Sequence, residues 1–309
     1  MTMLSISSYS LREQLGPLSI AFTDANGDEQ TFAQDFPKLV DITDVPARAA
    51  QSFPVTGVEA VAFQFTGVDD PALDAFAAAA VDAGLELLNV AVDVGDLVQT
   101  DPVRLAADVA ELERWITRVA DLGFRFVRVN AGSPFSAHHG EIPPARLVDA
   151  LIDLGGFASD RGIRLLVENH GGPSSDPAWM TALLDRVGVA NLGLLLDLGN
   201  FDALLDPLMA AMFAEPGAAP VDPFADLDLT TLYDGIDALA DRAELVHVKA
   251  HHVGLGGAVG PVDLPRALGI LSRHGYTGPL TIEYEGTGGD PWANTGRVIE
   301  ATAAALAAH

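Results

Sequence analysis

Apolar residues along the chain follow two alternating rhythms. Short β-rich runs give way to longer stretches with apolar positions at helical spacing, and the alternation continues from one end to the other. The runs predict strands at Leu4 to Ser8, Gly57 to Phe65, Glu86 to Val92, Phe124 to Asn130, Ile163 to Glu168, Leu192 to Asp197, Leu245 to Lys249 and Leu280 to Glu285. Helical periodicity predicts helices near 44–53, 71–83, 102–122, 143–161, 177–187, 229–242, 263–274 and 290–307. Prolines stand in the first turn of several (Pro71, Pro102, Pro143, Pro177, Pro265), and glycines follow the last turn of others (Gly84, Gly123, Gly162, Gly275), as helix ends prefer.

Eight strands, each followed by a helix, predict an α/β chain folded as a (β/α)8 TIM barrel, one domain over residues 1–309. A doubly wound open sheet is disfavoured: no GxGxxG follows the first strand, and the repeat runs for eight rounds. Two segments exceed the regular spacing, so insertions are expected after strands 1 and 6. Residues 11–43 read as a hairpin turning at Asn26 and Gly27, and residues 201–227 carry an apolar helical patch ending in a Pro/Gly-rich stretch. In a barrel both would emerge on the face where catalytic loops lie. The stripe Leu208, Met209, Met212 and Phe213 reads either as a contact in a homo-oligomer or as internal packing.

Charge narrows the function classes. Seventeen basic residues against 43 acidic ones leave a formal charge of −26, which repels nucleic-acid phosphates and anionic lipid, so no nucleic-acid partner is expected. The 309 residues include no cysteine, so disulfides, thiolate nucleophiles and sulfur-built metal sites are excluded, and any metal must be held by oxygen and imidazole. No apolar run reaches the ~18 residues of a membrane span, and the start MTMLSISSYSLREQ has no basic stretch before an apolar block; no membrane partner and a cytoplasmic location are expected.

The last four strands end on polar residues that a barrel core would not select: Glu168, Asp197, His247 with Lys249, and Glu283 with Glu285. In a barrel these ends converge, giving one cluster of three carboxylates and an imidazole. Glu283 and Glu285 share a face, so either could point inward. Two carboxylates about 5 Å apart at an effective dielectric of ~20 repel by roughly 3 kcal/mol, so three need a counter-charge. Lys249, a proton or a divalent cation could supply it, and the oxygen-rich set with one nitrogen suits Mn²⁺ or Mg²⁺, with Zn²⁺ and Co²⁺ as further candidates.

The segments LLVENHGG (165–172), LGLLLDLGNF (192–201), LVHVKA (245–250) and VDLPRALGILSRHGYTGPLTIEYEG (262–286), with SISSYS (5–10) and VTGVEAVAF (55–63) in support, make the chain similar to the xylose isomerase-like TIM barrels. Within them it resembles the sugar phosphate isomerase/epimerase group, which includes tagatose epimerases, inosose dehydratases and hydroxypyruvate isomerases. The resemblance implies a divalent metal held by Glu168, Asp197, His247 and Glu283, with Glu168 and Glu283 also acting as acid and base. Two departures stand out. The D-x-G-H of such proteins is here Asp197-Leu198-Gly199-Asn200, and H-x-K-D is here His247-Val248-Lys249-Ala250. Endonuclease IV shares the barrel but needs a histidine where Asn200 stands.

Chemically, a hydroxy-ketone polarised by a cation has an acidic C–H that a nearby carboxylate removes; returning the proton elsewhere isomerises or epimerises, and losing a β-hydroxyl dehydrates. The expected function is therefore a metal-dependent sugar or polyol isomerase or epimerase. The alternatives are a lyase of the inosose- or dehydroshikimate-dehydratase type, a C-glycoside-cleaving subunit, or a non-catalytic sugar-binding barrel. The expected substrate is a small carbohydrate, polyol or keto compound. No Gly-rich phosphate loop follows strands 7 and 8, which argues against a phosphorylated one. His170, Lys249, Arg128, Asn130 and Glu285 are candidate substrate-binding residues, whereas His138, His139, His251 and His252 read as solvated or interface loop positions.

Overall fold

Eight parallel strands close into a ring, each hydrogen-bonded to its neighbours in chain order, with the last pairing back to the first. In the computed structural model, which describes residues 2–23, 29–132, 142–212, 222–254 and 256–308, the barrel strands are β1 (Leu4–Ser7), β2 (Gly57–Val61), β3 (Glu86–Val92), β4 (Phe126–Val129), β5 (Arg164–Glu168), β6 (Gly193–Asp197), β7 (Ala243–Ala250) and β8 (Leu280–Tyr284). Around them lie α1 (Val45–Ser52), α2 (Pro71–Asp82), α3 (Pro102–Asp121), α4 (Ala145–Ser159), α5 (Pro177–Val187), α6 (Asp202–Met212), α7 (Thr230–Leu239), α8 (Leu264–Arg273) and α9 (Pro291–Leu306). This is the expected TIM barrel. Among the described residues no helix is long and apolar enough to cross a membrane.

Alternation along the strands separates two cores. Val127, Val167, Leu194, Leu196, Val246, Val248 and Ile282 face outward into the large cluster shared with the helices. Leu88, Phe126, Leu166, Leu195 and Leu245 form a separate cluster that plugs the bore, with Met3 against it. Two residues further along β4 to β7, roughly 6.6 Å higher at ~3.3 Å per residue, the same faces carry Arg128, Glu168, Asp197 and His247. The bore thus passes from dry hydrocarbon to charge within one layer.

Part of the acidic surplus caps helices. Asp70, Asp101, Asp176, Asp263 and Asp290 each accept a backbone N–H in the first turn of α2, α3, α5, α8 and α9, worth about 1 kcal/mol apiece. Element ends shift from expectation for identifiable reasons. β1 stops at Ser7 because the Ser7 hydroxyl accepts the Tyr9 N–H at 3.2 Å and opens the 3₁₀ turn Ser8–Gln14. β2 stops at Val61, not Phe65, since its β1 partner has ended at the Ser7–Glu59 pair; Ala62–Gln64 is a 3₁₀ turn. Pro143 precedes α4, which begins at Ala145 after Pro144.

The segment after β1 contains the antiparallel hairpin Leu18–Thr23 with Glu29–Gln34; its expected turn at Asn26 and Gly27 lies outside the described residues. After β6 the chain forms α6, from which the half-buried Leu208 packs on the main core. Phe213 of the expected stripe lies outside the described residues.

Candidate active site

The turn after β5 brings two acids together. Gly171 and Gly172 take φ of 84° and 57°, which an L side chain resists, and let the chain reverse directly after Glu168 and Asn169. Asn169 then braces the end of β6: its Oδ1 accepts the Asp197 N–H at 2.8 Å and its Nδ2 donates to the Asp197 carbonyl at 2.9 Å. The Asp197 carboxylate folds back over the next turn, with Oδ1 accepting the Gly199 and Asn200 N–H groups at 2.7 and 3.0 Å. Gly199 leaves room for a neighbour, since a Cβ there would press on the Lys249 stem at 3.1 Å.

From β7, His247 enters the same space. Its Nδ1 lies 3.6 Å from Glu168 Oε1, 3.7 Å from Asp197 Oδ2 and 3.3 Å from Glu283 Oε2. All four residues are buried, at 6% exposure or less. Glu283 is thus the strand-8 acid beside the imidazole, its other oxygen held by the Ser7 hydroxyl at 2.9 Å. Glu285 lies just past β8, a quarter exposed, and reaches Lys249 Nζ at 2.9 Å. The sequence left that choice open; the extra step beyond the strand decides it.

Two buried cations flank the acids. Lys249 Nζ lies 3.0 Å from Asp197 Oδ2, 3.3 Å from Glu283 Oε2 and 3.1 Å from Asn200 Oδ1, besides Glu285. Arg128 pairs with Asp93 through Nη1, donates to Asn130 Oδ1 at 2.8 Å, and places Nε 2.9 Å from Glu168 Oε2. Asn130 also donates to Asp93 at 3.0 Å. Asn200, standing where the resembled motif has histidine, donates to Glu168 Oε1 at 3.2 Å and so links Glu168 to Lys249.

These surroundings drive the carboxyls apart. Burial pushes Glu168 above the usual carboxylate range, and Arg128 does not fully offset it. For Glu283 burial acts the same way, but His247 and Lys249 outweigh it and hold the group well below that range. Asp197 is likewise held low against burial, chiefly by Lys249. His170, on the turn after Glu168, is half-buried, its backbone N–H held by Ser174 Oγ at 2.8 Å and its ring within electrostatic reach of Asp93 and Glu168.

The set fits a divalent cation. Glu168, Asp197 and His247 each offer a buried donor atom, all within 4.8 Å of one another. Asp197 Oδ2, Glu168 Oε2 and His247 Nδ1 are buried without an aligned hydrogen-bond partner. Arg128 Nε, although close to Glu168, is not aligned as a donor either. Donors about 2.0–2.2 Å from one ion stand about 3–3.5 Å from each other, close to the spacing around Nδ1. Two fixed cations, Arg128 and Lys249, are shared among the six carboxylates Glu59, Asp93, Glu168, Asp197, Glu283 and Glu285, a surplus of buried negative charge that is costly unless a further cation shares it.

Several residues here were not singled out from sequence. Glu59 on β2 is buried at 1% exposure and reaches His247 Nε2 at 3.1 Å. Asn89, Thr281, Ser7, Asp93 and Asn169 support the cluster from neighbouring strands and turns. The one available signal was a lone carboxylate inside the apolar run GVEAV. His251 also departs from expectation. It is 9% exposed, not solvated, because Phe224 stacks on its ring at 6.0 Å and Glu285 lies 3.9 Å away. His252 is exposed as expected, and His138 and His139 lie outside the described residues.

The model of the xylose isomerase-like TIM barrel family matches residues 47–308. The chain belongs to that family. Curated proteins give no significant sequence match to this family member. Among solved structures, similar barrels include an L-ribulose 3-epimerase (19% identity, TM-score 0.65, covering 100% of this chain and 97% of the other). They also include a D-allulose 3-epimerase from Methylomonas sp. (16%, 0.64, 99% and 98%) and a D-psicose 3-epimerase solved in the presence of D-fructose (18%, 0.59, 99% and 97%). At such identities the likeness establishes the shared barrel architecture of the family.

Proposed function

We propose that this chain is a divalent-metal-dependent isomerase or epimerase of an uncharged sugar or related polyol or keto compound. The observation that carries the proposal is that carboxylate oxygens of Glu168, Asp197 and Glu283 lie within 3.7 Å of the buried His247 Nδ1, with three polar atoms of this set lacking an aligned hydrogen-bond partner. The sugar epimerases that share the architecture support the substrate class.

Glu168, Asp197, His247 and Glu283 would hold the ion, Mn²⁺ or Mg²⁺ by the hardness of the donors. When bound, it polarises a hydroxy-ketone carbonyl and acidifies the adjacent C–H. One of Glu168 and Glu283 would take that C–H proton, and the other would return a proton to the opposite face of the same carbon or to its neighbour. Glu283, with Oε1 fixed by the Ser7 hydroxyl, and Glu168, with Oε1 fixed by the Asn200 amide, would serve as this acid–base pair. Arg128 and Lys249 act on these carboxylates as buried groups, each at 3% exposure. The more accessible member of each pair is the acid, Asp93 or Glu285. With Asn130 and His170 these offer hydrogen-bond partners for hydroxyl groups, and no unmatched cation among the described site residues awaits a phosphate or carboxylate.

The test is a panel of free and phosphorylated ketoses, polyols and keto acids with Mn²⁺ in D₂O. Deuterium appearing at the carbon next to the carbonyl of a free sugar is expected, with phosphorylated analogues turned over at least tenfold less well. Loss of water from the product marks a lyase instead, and no turnover of any compound marks a binding barrel; either outcome sinks the proposal.

A further inference from the structure

Across the bore from the cluster, Glu59 makes contacts that the acid–base scheme does not use. It stands on β2, while His247 is on β7, three strands away around the ring. Glu59 Oε2 lies 3.1 Å from His247 Nε2 and accepts from Asn89 Nδ2 at 2.8 Å, and its Oε1 accepts the Thr281 hydroxyl. Thr281 in turn meets the Ser5 hydroxyl. Both oxygens of Glu59 are therefore engaged, and β1, β2, β3, β7 and β8 are tied together in one buried polar layer. The apolar plug lies beneath it.

A carboxylate at Nε2 makes that nitrogen the donor, because an ionised carboxylate only accepts. The ring's other nitrogen, Nδ1, is then the one left to ligate, by giving up its proton to an incoming cation, and it is this atom that faces Glu168, Asp197 and Glu283 without a hydrogen-bond partner. Without Glu59 the three acids would favour the opposite arrangement, with the proton on Nδ1, and a protonated nitrogen cannot ligate. Outer partners of metal-bound imidazoles commonly set the tautomer and ring orientation in this way. We infer that Glu59 is a positioning residue that holds the Nε2 proton and the ring orientation of His247, so that Nδ1 is the nitrogen presented to a cation. The inference rests on the metal site of the proposed function, but its readouts separate the two.

The experiment uses the full chain, stripped with chelator. Calorimetric titration with Mn²⁺ should show Glu59→Met binding 10- to 100-fold more weakly than wild type, the usual loss when an outer partner goes. Glu59→Gln retains an oxygen for the Nε2–H and should stay within about fivefold of wild type. In metal-free protein labelled with ¹⁵N-histidine, the His247 Nε2–H should give an exchange-protected proton resonance that vanishes in Glu59→Met. Wild type that binds no ion overturns the proposed function, while the resonance still decides the role of Glu59. A wild-type spectrum lacking that Nε2–H, or Glu59→Met binding Mn²⁺ as wild type does, overturns the inference. The wild-type spectrum needs no variant, so the outcome does not depend on Glu59→Met folding.

Discussion

Asn169 and Asp197 are joined by two hydrogen bonds: the Asn169 amide reads the backbone of Asp197 as a neighbouring strand would, accepting its N–H and donating to its C=O. The pair locks the end of β6 to the turn after β5 and so sets the separation of Glu168 and Asp197. Asn169→Leu keeps the volume but leaves a buried N–H and C=O unpaired, at about 1–3 kcal/mol for each. A Tm fall of about 5–10 °C is expected, with weaker Mn²⁺ binding. An unchanged Tm in differential scanning calorimetry shows that the brace contributes nothing.

Glu168→Gln separates chemistry from folding. The amide still fills the buried position and can accept from Asn200, and Arg128 keeps its partner Asp93. The variant cannot carry a proton, so turnover of the substrate found in the panel should fall by about 10²–10⁴, with Tm within about 3 °C of wild type. Full activity removes Glu168 from the proton path.

Away from the site, His274 on the opposite face of the barrel provides a pH handle. Asp241 and Asp237, 2.7 and 3.1 Å from its two ring nitrogens, raise it above the ordinary histidine value. A group raised on folding contributes stability that is fully present below its unfolded value near 6.5 and is lost as pH rises through the higher folded value. His274→Gln should therefore melt about 1–3 °C below wild type at pH 6 and at the same temperature above about pH 9. A difference that persists at high pH would assign the effect to packing rather than charge.

Much of this site could be read along the chain. Strand ends at Glu168, Asp197, His247 and Glu283 are visible as polar residues closing apolar runs, and once eight such units close into a ring, those ends must face one another. Helix starts were equally legible, because Asp before Pro is a local signal and capping is a local interaction.

By itself, then, the sequence determined the alternation of strand and helix, the closed barrel it implies, and the acids and imidazole at its rim, since periodicity and strand parity act over a few residues. Tertiary structure decided the rest: that Glu283 and not Glu285 meets His247, that Arg128 and Lys249 are sealed behind Asp93 and Glu285, that His251 is buried, and that Glu59 reaches a ring 188 positions away. The physical reason is range. Those contacts depend on strand register and on the width of the bore, which exist only after the first and last strands have paired.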